Sequence, residues 1–196
     1  MLIDLHVHSS ISPCSRLSLA EILSHARSRG LDGVCLTDHD TMAAQWEVRE
    51  GVQPDGLLVL VGMEYATSQG DFLLFGPFEE LAPGLSAREV LTVVDQAGGA
   101  AVAAHPCRLA RPTDREVVAA GLVHALEIVN GRNTAEENRM AGNWPYRYAL
   151  PAVGGSDAHT LAELGRRPTR FLTPVTSRTD LIRALRRGQC IPEVRE

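Results

Sequence analysis

Ile3-Asp4-Leu5-His6-Val7-His8 opens the chain, and its reading decides the rest. The apolar flanks predict a strand, whose successive side chains alternate faces. Asp4, His6 and His8 then share one side, and Leu5 and Val7 the other. The two histidine Cα atoms lie roughly 6.5–7 Å apart in such a strand, a spacing from which both imidazoles can lean onto one cation. A lone His-x-His pair says little, so its weight depends on the residues downstream.

Working outward, short apolar runs alternate with amphipathic stretches. Residues 33–37, 57–61, 72–75, 100–104, 125–129, 150–154 and 169–173 read as strands, with a last short one at 189–192. Helices are predicted over 19–29, from a Ser86 cap with Glu89 at the capping-box position to Gln96, over 113–120, and from Ser177 to a stop at Gly188. Residues 134–148 read as one helix that Pro145 interrupts near its end. This alternation implies parallel strands with helical crossovers. His6, His8, His39, Glu64, His105, Asp157 and His159 all fall at or just beyond a strand's C-terminal end. An open doubly wound sheet would gather such residues at one switch point; a ring of them fits a small β/α barrel better. Three of the histidines come with an acid, in Asp4-x-His6, Asp38-His39 and Asp157-x-His159, and His25 reads as an ordinary helix residue. A mixed imidazole and carboxylate set of this size predicts a multinuclear site for Zn, Mn or Fe rather than for Ca.

Composition narrows the function. With 196 residues, 44% of them hydrophobic, the chain suits one sizeable core and a single domain over 1–196. A net charge of −5 without a basic run gives no footprint for nucleic-acid grooves or membranes, though small phosphates remain open. All 19 basic residues are arginine, which excludes a P-loop lysine, a Schiff base and a pyridoxal site. The cysteines at 14, 35, 107 and 190 show no C-x-x-C spacing and are expected to be reduced thiols. With no leader and no span-length apolar stretch, a soluble, cytoplasmic protein is expected.

These residues resemble the PHP (polymerase and histidinol phosphatase) family of metal-dependent phosphoesterases. The motifs occur in order as Asp4-Leu5-His6-Val7-His8, Thr37-Asp38-His39-Asp40, Gly62-Met63-Glu64, Ala104-His105-Pro106 and Gly155-Ser156-Asp157-Ala158-His159. The likeness extends to Leu126-Glu127-Ile128-Val129-Asn130 and Ala184-Leu185-Arg186-Arg187-Gly188. It implies an α/β fold, a distorted seven-stranded β/α barrel holding two to three divalent metal ions. By the same resemblance, His6, His8, Glu64 and Asp157 hold the first ion, and Glu64 bridges to a second held by His105 and position 71. His39 and His159 hold the third. Where the family commonly has histidine this chain has Asp71, and the loop that commonly gives the third ion an acid or histidine reads Ser12-Pro13-Cys14-Ser15. Cys14 could ligate only as a thiolate.

The implied activity is hydrolysis of a small phosphate ester by a metal-activated water, the substrate being a nucleotide, an oligonucleotide end or a histidinol-phosphate-like compound. Arg16, Arg108 and Arg132 follow strand ends and are candidates to grip phosphate. His39 and His159 are candidates for the general acid, while Asp38, Glu127 and Asn130 are expected to orient ligands from behind. Two alternatives stand beside this one. The first is a non-catalytic metal-binding module, disfavoured by the nearly full ligand set. The second is an amidohydrolase-like enzyme for a non-phosphate bond, which would generally add a carboxylated lysine that this chain lacks.

Overall fold

The computed structural model describes residues 1–193. In chain order its strands are β1 (Leu2–Val7), β2 (Gly33–Leu36), β3 (Gly51–Val52), β4 (Leu58–Val61), β5 (Met63–Thr67), β6 (Gly70–Phe75), β7 (Ala100–Ala104), β8 (Ala125–Asn130), β9 (Ala152–Gly155), β10 (Thr169–Phe171) and β11 (Cys190–Pro192). The helices are α1 (Leu19–His25), α2 (Ala87–Gln96), α3 (Arg115–Ala119), α4 (Ala135–Ala141), α5 (Trp144–Tyr148) and α6 (Arg178–Arg186). Capping boxes start α1 at Ser18 with Glu21, α2 at Ser86 with Glu89 and α4 at Thr134 with Glu137. Residues 134–148 form two helices rather than one: the break falls at Gly142-Asn143, and Pro145 sits in the first turn of α5, where its missing N–H costs no bond.

The strands form two mixed sheets, ordered β11-β10-β1-β2-β4-β3 and β5-β6-β7-β8-β9; the α/β class expected is found, while the ladders of the expected distorted seven-stranded barrel do not close. Strands β1, β2 and β4 run parallel, as do β7, β8 and β9. The all-parallel expectation fails at β6, antiparallel to both β5 and β7, and at β10, antiparallel to β1 and β11. Gly62 is the single residue between β4 of one sheet and β5 of the other, and a Cβ there would meet the Leu74 carbonyl oxygen. Among the described residues, isolated bridges join the sheets, Val7 with Ala158 at one seam and His39 with Glu64 at the other.

Two cores follow from the strand period. Ile3, Leu5, Cys35, Leu58, Leu60, Leu73, Phe75, Val102 and Val153 from both sheets pack with Leu181 and Leu185 of α6, an inner cluster between the sheets. Alternate residues such as Val34, Leu36, Val59, Phe72 and Ala103 pack outward with Ile22, Val90 and Val94 of the helices. On β1 the alternation breaks. Asp4 pairs with Val34 and Val7 with Leu36, three steps against two, so β1 carries one extra residue. Ile3 and Leu5 face the inner core and Val7 the outer one, and the extra residue turns His6 and His8 inward beyond Leu5. Asp4 therefore does not share their face, as strict alternation predicted. It lies on the other side, accepting from the backbone N–H groups of Ser156 and Gly165. β8 has the same irregularity between Glu127 and Val129, which lets Glu127 and Asn130 face one way. Among the described residues no helix is long and apolar enough to cross a membrane.

Candidate metal centre

The site forms at the two seams. At one, His8 N–H donates to the Ala158 carbonyl and Ala158 N–H to that of His6, which sets Asp157 and His159 against the His6–His8 turn. At the other, Glu64 N–H donates to Asp38 O and Asp40 N–H to Glu64 O, so Glu64 hangs from the continuation of β2. Glu64 is thus the second residue of a strand of its own, β5, and does not simply follow the end of β4. Asp40, His105 and Asp157 hold positive φ, at a cost of about 1–3 kcal/mol each. Local bonds offset it: Asp40 Oδ1 accepts from Ala66 N–H, and Glu127 Oε2 from His105 N–H.

Glu64 and Asp157 each bring an oxygen to the facing Nε2 atoms of His6 and His8. His6 Nε2 lies 3.0 Å from His8 Nε2, 3.3 Å from Glu64 Oε2 and 3.6 Å from Asp157 Oδ1; His8 Nε2 lies 3.2 and 3.4 Å from the same two oxygens. Donors about 2.1 Å from a shared tetrahedral centre would stand about 3.4 Å apart, so these residues fit a divalent cation. His6 Nδ1–H donates to Glu127 Oε1 at 2.9 Å, which fixes the tautomer that turns Nε2 to that point. Glu127 is fully buried and also accepts from His105 N–H and from Asn130 Nδ2. Gly155 makes room for it, since a Cβ there would overlap Glu127 Oε1.

A second group joins His6, Glu64 and His105, with Glu64 Oε1 2.8 Å from His105 Nε2. Its imidazole is less braced, because His105 Nδ1 is buried with no hydrogen-bond partner. Asp71, expected here, is the second residue of β6, and both its oxygens accept from the Arg111 guanidinium, at 2.7 and 2.5 Å. A third group brings His8, His39 and His159 together; His159 Nδ1 donates to the Asp157 carbonyl at 2.9 Å. Cys14 lines the cavity above but belongs to none of these groups. Burial, with the nearby charges of Glu64 and Asp157, pushes its thiol pKa up, against thiolate formation.

Burial disfavours the charged form of His6, yet Glu127, Asp157 and Glu64 together raise its pKa well above the imidazole range. Burial likewise opposes ionisation of Glu64, but the charge of His6 and hydrogen bonds from His105, His39 and His6 hold it well below the carboxylate range. Asp38 accepts from the N–H and hydroxyl of both Ser9 and Ser12 and so organises the loop beneath His39.

The arginines divide. Arg108 donates to Asn133, Asn130 and Asp157 Oδ2, the last at 2.7 Å, so it braces the carboxylate whose other oxygen faces His6 and His8. Arg132 lines the cavity; Arg16 does not. Arg111 and Asp40 do line it, and the sequence did not single out either for the site. Arg111 follows His105 by six residues with no motif around it, and only its pairing with Asp71 marks it out.

The chain matches the PHP domain profile over residues 4–137 and a PHP-associated profile over 135–190. An uncharacterised protein of Methanocaldococcus jannaschii is 30% identical over 113 residues, covering 53% of this chain and 66% of that one. Phosphoribosyl 1,2-cyclic phosphate 1,2-diphosphodiesterase of Eggerthella lenta is 34% identical over 92 residues, 44% of this chain and 35% of the enzyme. The matches thus span less than two thirds of either relative. PsfC from Pseudomonas syringae PB-5123 superposes with a TM-score of 0.80 at 22% identity, covering 99% of this chain and 91% of PsfC, a likeness of fold.

Proposed function

We propose, from the premise that this chain belongs to the PHP family of metal-dependent phosphoesterases, that it hydrolyses a small phosphate ester in the cavity above His6 and His8. The observation that carries this is Glu64. Its Oε2 lies 3.1–3.3 Å from nitrogens of His39, His8 and His6, and its Oε1 faces His105, so one carboxylate offers an oxygen to each of two imidazole groups. His6, His8, Glu64 and Asp157 would hold a first divalent ion, Glu64, His105 and Asp71 a second, and His39 with His159 a more weakly held third; Mn, Fe and Zn all suit such donors. When bound, the ions lower the pKa of a water and offset charge on the phosphoryl oxygens.

The chain's own residues do the rest. Arg132 and Arg111 line the cavity, and a guanidinium fork there can give a phosphate two parallel hydrogen bonds; that of Arg111 is held by Asp71. Where the third ion is absent, His39, exposed at the wall, is suited to protonate a leaving oxygen, whereas His159 is buried with Nδ1 committed to a carbonyl. A cavity of about 630 Å³ matches a substrate of nucleotide size. The Eggerthella lenta relative is named for a ribose cyclic phosphate, and from that likeness we take phosphorylated riboses and nucleotides as the first candidates.

The test is phosphate release by gently purified protein supplied with Mn²⁺, Fe²⁺ or Zn²⁺. The panel comprises ribose phosphates, nucleoside mono- and bisphosphates, short oligonucleotides and histidinol phosphate. Glu64→Gln should lose metal and activity together. Turnover that survives both chelation and Glu64→Gln would reject the assignment.

A further inference from the structure

Asp71 is 4% exposed and pairs across the sheet with Ala66 on one side and Ala104 on the other. Leu73, two residues on, stands opposite Glu64, so Asp71 and Glu64 are diagonal neighbours on the same face of the sheet, roughly 7–8 Å apart. The next residue after Ala104 is His105. A buried carboxylate is therefore carried to the Glu64–His105 pair, yet Arg111 takes both of its oxygens. Asp157 differs: Arg108 takes one oxygen only and leaves the other to His6 and His8. One arginine braces a carboxylate, and the other occupies it.

Building on the reading above, we propose that Arg111 is an exchangeable occupant of Asp71. It neutralises the carboxylate until a cation binds at Glu64 and His105, then releases it and turns to bind the substrate phosphate. The physics allows the exchange. The Arg111 side chain is 52% exposed and lines the cavity, so its guanidinium can leave Asp71 without being drawn out of the core. The guanidinium fork that fits a carboxylate also fits a phosphate, so the released donors find equivalent acceptors. Metal and substrate binding would thereby be coupled through one side chain.

The exchange has a sign that titration can read. The apo-protein is titrated calorimetrically with Mn²⁺ alone, and the Mn²⁺-loaded protein with inorganic phosphate. Arg111→Gln should tighten the second Mn²⁺ site by about fivefold and weaken phosphate binding. Arg111→Lys, which keeps the charge without the fork, should fall between wild type and Arg111→Gln in both titrations. Asp71→Asn should weaken the second Mn²⁺ and let phosphate bind without metal. Circular dichroism confirms that each variant folds. A second site that is unchanged or weaker in folded Arg111→Gln overturns the exchange, because an arginine that merely braced Asp71 would act in that direction. A wild-type protein that takes up no Mn²⁺ would overturn the phosphoesterase reading as well, whereas two ions bound with no response to Arg111 would remove only this inference.

Discussion

His6 Nδ1 sits 2.9 Å from Glu127 Oε1, with neither side chain exposed to solvent. Glu127 reaches neither the cavity nor the point where the four donors meet, but it fixes which nitrogen of His6 faces that point. Glu127→Gln keeps the shape and can still accept from Nδ1–H, but it loses the charge that makes His6 a strong donor. Affinity for the first ion should fall roughly ten- to a hundredfold, read by competition with a chelating dye. Unchanged affinity would make Glu127 a purely structural acid.

Arg108 grips the oxygen of Asp157 that faces away from His6 and His8. Arg108→Ala leaves that oxygen with only the longer Asn130 contact at 3.4 Å. First-site affinity should drop by about tenfold, the opposite sign to Arg111→Gln at the second site. A metal content equal to wild type, with only the substrate KM raised, would return Arg108 to phosphate binding.

Metal uptake should release protons. Burial works against charging His8, as it does for His6, but hydrogen bonds to Asp157 and Glu64 outweigh it and raise its pKa. Asp157 is held well below its usual range, chiefly by His6 and His8 against the cost of burial. The Nε2 atoms of His6 and His8 stand 3.0 Å apart at the donor cluster, and a cation must take the place of protons held there. Affinity should rise as pH climbs through their raised pKa values, and proton release should fade above them. Calorimetry in buffers of differing ionisation enthalpy measures this; binding heats independent of buffer would contradict it.

The thiols should separate cleanly. Cys14 is exposed, Cys35, Cys107 and Cys190 are buried, and burial pushes the Cys190 thiol up to about 12. A chromogenic disulfide reagent should find one fast thiol in the native protein and four after denaturation. Cys14→Ser should abolish the fast phase and leave metal content unaltered, given that Cys14 stands outside the three groups of donors. Loss of the third ion in that variant would instead make Cys14 its ligand.

Much of this was legible in the chain. The 2.0 and 3.6 periods located nearly every strand and helix, because burial of one face imposes them locally, and Ser86 with Glu89 marked a helix start that the structure places at Ala87. That His6, His8, His39, Glu64, His105, Asp157 and His159 come together was legible too, since imidazole and carboxylate side chains recur there at strand ends. Strand β5 was missed because Met63-Glu64-Tyr65-Ala66-Thr67 is short and abuts β4 with only Gly62 between.

What sequence by itself determined was therefore the inventory: alternating strands and helices, a ring of metal-type donors and the family they belong to. Tertiary structure decided where those donors point. Strict alternation would put Asp4 beside His6, and the extra residue in β1 puts it on the opposite face, a shift no glycine or proline announces. Whether an arginine braces a carboxylate, as Arg108 does at Asp157, or occupies it, as Arg111 does at Asp71, depends on loops that meet 49 and 40 residues apart in the chain. Such pairings are set by how the sheets meet at their seams, and local propensity carries no record of that.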